Sequence, residues 1–128
     1  MPTASTITVD VRYQGIDAMG HVNNAVYTTY LETARAALFA EHLGIALTAA
    51  PTVLASLHID YHAPITPGEA VTARCAVERV GRTSIPMIYT IRADGTDCAN
   101  ATTVQVVADA DGSAAAPVPE AFRELING

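Results

Sequence analysis

The amino-acid sequence predicts an α+β domain in which an antiparallel sheet packs on one long helix. Three observations carry this. Only the stretch from Asn23 or Asn24 to Leu43 keeps a helical period over many turns. From Val53 the period switches to two and persists, broken at turn residues, through four strand-length segments. The chain has 128 residues, enough for one core and too few for two, so residues 1–128 form a single domain. Consecutive strands with short connections make an antiparallel sheet, and a broadly apolar helix must bury its face against it.

The elements follow in order. Thr6 to Tyr13 alternates, with Ile7, Val9, Val11 and Tyr13 on one face of a half-buried strand. Gln14 to Val22 is a loop punctuated by Gly15 and Gly20. Asn23 or Asn24 can cap the helix, because an Asn side chain accepts from first-turn N–H groups. Gly44 suits the left-handed stop. Tyr27, Leu31, Ala34 and Leu38 make the apolar stripe, widened by Val26, Tyr30 and Ala37, and Glu32 and Arg35 can pair at i,i+3.

Ile45 to Thr52 is a connector ending near Pro51. Beyond it Val53, Ala55, Leu57, Ile59 and Tyr61 face one way, and Ser56, His58, Asp60 and His62 the other. Pro64 ends that strand and Pro67-Gly68 makes a turn. Three further strands are expected at Glu69–Val80, Arg82–Ala93 and Asp97–Ala108, joined by hairpin turns at Gly81-Arg82 and Asp94-Gly95. Pro86 cannot donate to a ladder, so a bulge or break is expected there. Asp109 to Pro119 reads as a linker, and Glu120 to Asn127 as a short closing helix anchored by Phe122, Leu125 and Ile126.

Composition excludes several function classes. Half the residues are apolar and 16% are charged, which is not a disordered composition. A formal charge of −6 argues against nucleic acid as a partner. Apolar runs are too short for a membrane span and the first residues lack a signal-peptide pattern, so a cytoplasmic location is expected. Cys75 and Cys98 form neither a disulfide framework nor a zinc spacing, and are expected to be buried thiols. There is no G-x-S-x-G, H-E-x-x-H, P-loop or dinucleotide motif.

The chemistry concentrates between Val11 and Gly44. A strand feeds a Gly-rich loop holding one acid, Asp17, and one histidine, His21, and the loop opens into the helix. Unpaired N–H groups at a helix start can hold a developing negative charge. A neighbouring carboxylate can act as base or nucleophile.

The run R-Y-x-x-x-D-A-M-G-H-V-N-N-A-V-Y, from Arg12 to Tyr27, resembles the signature of hotdog-fold acyl-CoA thioesterases of the 4-hydroxybenzoyl-CoA thioesterase type. Further likeness lies in Glu32 and Arg35, in Ile59-Asp60-Tyr61 with Pro64, in Pro67-Gly68, in Val80-Gly81-Arg82-Thr83-Ser84 and in Pro119-Glu120. The resemblance implies a hotdog fold: a five-stranded antiparallel sheet wrapped around one long central helix, with a short C-terminal helix. It also implies hydrolysis of an acyl-CoA thioester without cofactor or metal. The expected assembly is a homodimer with its active sites at the subunit interface, and similar proteins often pair dimers into tetramers. The family's catalytic carboxylate maps onto Asp17, and its oxyanion-binding N–H onto Asn24. The family commonly has two acids in this loop, and here the first of them is Gly15.

The catalytic candidates are therefore Asp17, His21 and Asn24. His21 has three roles open to it: bonding substrate, orienting Asp17, or tying the loop together. Asn23 and Tyr27 are substrate-binding candidates whose plainer roles are cap and core. Arg82, Thr83 and Ser84, with Arg79, are candidates for the coenzyme A end, because guanidinium can grip phosphate and hydroxyls can meet amides. The alternating His58, Asp60 and His62 can hold zinc, but they fit a polar sheet face equally well. Two other activities compete. A hotdog enoyl-CoA hydratase also uses an Asp and a His in this loop, with a different spacing and an Asn-Pro between them, where this chain has Ala18-Met19-Gly20. A non-catalytic acyl-CoA or acyl-carrier binding protein would use the same groove.

Overall fold

The computed structural model describes residues 3–46, 52–109 and 111–127. The connector predicted around Pro51 and the side chains of Tyr13, Leu125 and Ile126 lie outside the described residues. The first strand, β1, spans Thr3–Val9 and leads through a 3₁₀ turn, Tyr13–Gly15. A second 3₁₀ turn, Asn24–Val26, runs straight into the long helix α1, Tyr27–Leu43. Four strands follow: β2 (Thr52–Tyr61), β3 (Val71–Val77), β4 (Ser84–Ala93) and β5 (Thr96–Val107). The helix α2, Glu120–Asn127, closes the chain. All pairings are antiparallel, in the order β1-β3-β4-β5-β2. Among the described residues no helix is long and apolar enough to cross a membrane.

The helical segment opens at the predicted Asn, but its first turn, Asn24–Val26, is 3₁₀ and α1 itself starts at Tyr27. Asn23 is the cap: its backbone is extended and its side-chain oxygen accepts from the Ala25 N–H at 2.9 Å. Gly44 ends α1 at φ 69°, a left-handed conformation that glycine adopts without a Cβ penalty. Tyr27, Tyr30, Leu31, Ala34 and Leu38 are buried, as the stripe requires, and Phe39 joins them and meets Phe122 of α2 at 5.7 Å between ring centroids. The predicted Glu32–Arg35 pair does not form. Arg35 turns inward, 8% exposed, and donates to the Tyr89 hydroxyl at 3.2 Å, while Glu32 stays on the solvent side. The i,i+3 spacing permits the pair, but the packing of α1 on the sheet directs the guanidinium elsewhere.

The sheet differs from its prediction in connectivity. β2 and β3 are not neighbours: β2 crosses to the far edge and pairs with β5, while β1 pairs with β3. β1 instead runs from Thr3 and ends at Val9, short of the expected Tyr13, although Ile7 and Val9 keep the predicted inward face. Asp94 and Gly95, at φ 49° and 80°, form the tight turn joining β4 to β5, since that turn needs positive φ at both central residues. Gly81-Arg82 is not such a turn; residues 78–83 make a longer loop between β3 and β4. Pro86 produces no bulge. The pairing of β3 with β4 stops at Ile88, so β4 has only β5 beside it at Pro86 and its missing donor is tolerated. The irregularity in β4 falls instead between Ile91 and Arg92.

The stretch predicted as a linker is pinned to the sheet. Ala116 N–H donates to Val107 O at 2.9 Å, Val118 N–H donates to Arg82 O at 2.8 Å, and Val118 is buried. Both cysteines are buried, and burial pushes the Cys75 thiol up to about 12, which keeps it protonated and unreactive. α1 packs over β1 and β3, whereas β2 is exposed along nearly its whole length. That uneven cover leaves the start of α1 and the end of β2 bordering a common cavity.

Candidate active site

The loop before α1 is built from its own backbone. Asp17 N–H donates to His21 O at 2.8 Å, and Gly20 N–H returns to Asp17 O at 3.0 Å. Gly20 sits at φ 79°, the left-handed conformation that lets the loop close this tightly. One carboxylate oxygen of Asp17, Oδ1, accepts from the N–H groups of Met19 (2.9 Å) and His21 (3.1 Å). Among the described residues the other oxygen, Oδ2, has no partner. A single side chain thus shapes the loop with one oxygen and leaves the other free.

A Cβ at Gly15 would lie 3.2 Å from Val26, so this position abuts the helix start. Its carbonyl accepts from Asn23 N–H at 2.7 Å, and Val22 N–H donates to Ile65 O at 2.8 Å. Backbone bonds therefore brace the loop without a second carboxylate.

A cavity of about 280 Å³ opens beside this loop, and Asp17, His21, Asn24 and Tyr27 all line it. Asn24 is the first residue of the helical segment, so its N–H has no carbonyl one turn earlier to bond; among the described residues it has no acceptor. The His21 imidazole likewise borders the cavity without a protein partner among the described residues. Asp17, His21, Asn24 and Tyr27 are thus placed around one cavity. Asn23 is not a lining residue; its side chain is spent on the cap.

Arg82, Thr83 and Ser84 do not join this cavity. They lie at the other end of the sheet, where the carbonyls of Arg82 and Thr83 receive Val118 and Val107 N–H groups and Arg123 donates to the carbonyls of Gly81 and Arg82. Arg79 borders a separate depression beside Met87 and Val104.

The remaining lining comes from the last residue of β2, Tyr61, the segment after it, His62, Ala63 and Pro64, and Val22. Tyr61 hydroxyl donates to Asn24 O at 3.1 Å, and its ring meets Tyr27 edge-on at 5.0 Å. His62 lies beyond the strand rather than on its polar face, and its Nε2 is 3.0 Å from the Asn100 amide nitrogen. His58 pairs with Asp60 at 3.0 Å. Among the described residues no three His, Cys, Asp or Glu side chains converge as metal ligands. Pro64, two residues beyond His62, marked the strand end in the sequence, but only the folded chain carries that end to the start of α1.

An antiparallel five-stranded sheet around one long helix, with an acid loop at the helix start, defines a hotdog protein of the thioesterase kind. The chain belongs to the Thioesterase-like superfamily, whose family model matches residues 11–126. A thioesterase from Thermus thermophilus, complexed with coenzyme A and Zn, is similar at 36% identity and TM-score 0.87, over 95% of this chain and 90% of that one. A predicted thioesterase from Bacillus stearothermophilus is similar at 25% identity and TM-score 0.87, over 97% and 94%. A DHNA-CoA thioesterase from Staphylococcus aureus, at 20% identity and TM-score 0.80 over 95% and 90%, shares the fold. No curated protein sequence matches the chain.

Proposed function

We propose that the chain hydrolyses an acyl-CoA thioester to a free acid and coenzyme A. The observation that carries this is one cavity lined by Asp17, whose carboxylate keeps one oxygen free, and by Asn24, the first residue of the helical segment. Those are the two groups that thioester hydrolysis needs. Asn24 N–H receives the carbonyl oxygen and holds its charge as it becomes an oxyanion; such a donor is typically worth about 2.7–4 kcal/mol. Asp17 Oδ2 either takes a proton from an attacking water or attacks the carbonyl itself. On the first route the tetrahedral intermediate collapses, expels the thiolate, and the proton leaves with the thiol. On the second, the thiolate departs from a mixed anhydride that water then cleaves. His21, on the same rim, bonds the substrate or the water.

The Thermus thermophilus relative, which carries coenzyme A, supports coenzyme A as the thiol. Thiol release from short, long and aryl acyl-CoAs is the direct test. Release from at least one is expected, and release from none overturns the proposal. Crotonyl-CoA separates the hydratase: loss of the enoyl absorbance without thiol release sinks the hydrolase reading. Label found in Asp17 after a single turnover in ¹⁸O-labelled water identifies the nucleophilic route with water attacking the aspartyl carbon of the anhydride, because a general base keeps both of its own oxygens.

The same reading makes the active form a homodimer. β2 is an edge strand whose Val53, Leu54, Leu57 and Tyr61 are exposed at 58%, 46%, 41% and 44%. An edge this apolar and open calls for a partner, and a second copy would also bring its loop 78–83 to the assembly.

A further inference from the structure

The loop between β3 and β4 has its backbone carbonyls tied down on one side. The Gly81 carbonyl accepts from Arg123 Nη2 at 3.1 Å. The Arg82 carbonyl accepts from the same nitrogen at 3.3 Å and from Val118 N–H at 2.8 Å. The Thr83 carbonyl accepts from Val107 N–H at 2.8 Å. Three successive carbonyls are thus committed to β5 and the segment that follows it. In a trans peptide the N–H points opposite to the C=O of the same plane, and no described peptide is cis. The N–H groups of Arg82 and Thr83 therefore point away from Arg123, and among the described residues neither has an acceptor.

Charge is arranged to the same effect. Arg82 is exposed, and its guanidinium has no partner among the described residues. Arg123 bonds carbonyls only and forms no ion pair among them. Successive free N–H groups make an anion-binding concavity, whereas an outward carbonyl would repel an anion. Arg123 is the part that keeps this polarity. It reaches the loop from α2, whose Phe122 is buried against Phe39 of α1. Among the described residues it is the sole donor to the Gly81 carbonyl. Without it that peptide is free to turn, and Arg82 N–H turns with it.

We infer that Arg123 is a positioning residue for the nucleotide end of coenzyme A: by holding the Gly81 and Arg82 carbonyls it leaves the N–H groups of Arg82 and Thr83 to meet a phosphate. The inference rests on the proposed use of this loop for coenzyme A and adds the residue that shapes it. α2 is then part of the binding machinery, and not only a cover at the end of α1.

The test offers one acyl group on coenzyme A and on pantetheine, which lacks the phosphates. The wild type should show the higher kcat/KM for the coenzyme A thioester. Arg123→Met should cut that preference about tenfold, the scale of one hydrogen bond to a charged group. Arg123→Lys should restore it, because both carbonyl bonds come from one nitrogen. A merely structural lesion lowers both substrates alike, so an unchanged preference in Arg123→Met overturns the inference. No preference in the wild type overturns it too. A second measurement needs no variant and decides the matter if Arg123→Met fails to fold. On titration of the wild type with coenzyme A, the backbone amide resonances of Arg82 and Thr83 should shift. If other resonances move and these do not, the inference is overturned while a coenzyme A site stands elsewhere. If neither thioester is turned over but coenzyme A shifts these two amides, the hydrolase reading falls and the inference holds. If coenzyme A moves no resonance, the coenzyme A site and the inference fall together.

Discussion

Asp17 uses its two carboxylate oxygens differently, and that division makes its substitution informative. Oδ1 holds the Met19 and His21 N–H groups, while Oδ2 is left without a partner among the described residues. In Asp17→Asn the amide oxygen can keep both loop bonds, and the amide nitrogen supplies neither charge nor basicity. Thiol release should fall about 10²–10⁴-fold, the usual contribution of a positioned acid–base group, with melting shifted by less than about 3 °C. Asp17→Ala should lose the same activity and melt lower than the Asn variant, because both loop bonds go with it. Full activity in Asp17→Asn would make Asp17 a turn residue only. The division also explains why the residue type could be read in two ways from sequence: Asp can form a turn or serve as an acid, and here one oxygen holds the loop while the other has no partner among the described residues. Tyr61 and His62 were less legible as cavity residues, since period-two alternation assigns a face of a strand. It cannot register that the strand's end meets a helix start 37 positions earlier in the chain.

At the scale of the element, the start of the helix joins stability to the site. The Asn23 cap fixes Ala25 N–H and thereby the backbone of Asn24, which lines the cavity. Asn23→Ala should cost about 0.5–2 kcal/mol, seen as a lower denaturation midpoint, and should reduce kcat because the oxyanion donor is no longer held in place. Asn23→Asp should restore both, since a carboxylate caps equally well. A variant that loses stability but keeps kcat would remove Asn24 N–H from the mechanism. Both ends of this helix were legible in the sequence, because a capping Asn and a Gly at φ 69° act locally. The strand order was not: alternation marks β2 as a strand but says nothing about which edge it joins, and its crossing to β5 is decided by the whole sheet. Pro86 shows the same limit, because its effect depends on whether a neighbour stands beside it, and β3 has already stopped pairing there.

At the scale of the whole molecule, the residues proposed for the two ends of the substrate are separated within one chain. Asp17 and Asn24 line the cavity, while Arg82, Thr83 and Ser84 lie in the loop beside α2. If the active form is a dimer built on β2, breaking that edge should break activity. Leu57→Lys, at an exposed position of β2, should sediment as a monomer and release little thiol; a dimer with full activity would move the interface elsewhere. The separation then gives a sharper consequence. A coenzyme A subsite contributed across the interface makes each active site a composite of Asp17 from one protomer and Arg82 from its partner. Arg82→Glu should raise KM for the acyl-CoA with little change in kcat, the mark of a binding contact, and Asp17→Asn should abolish kcat. Mixed and allowed to exchange subunits, the two variants form dimers in which one site has both mutations and the other has neither. With half of all dimers mixed and one of two sites intact in each, about a quarter of wild-type activity should return at low substrate. If Asp17 and Arg82 served the same site from one chain, every site would carry one lesion and mixing would restore nothing.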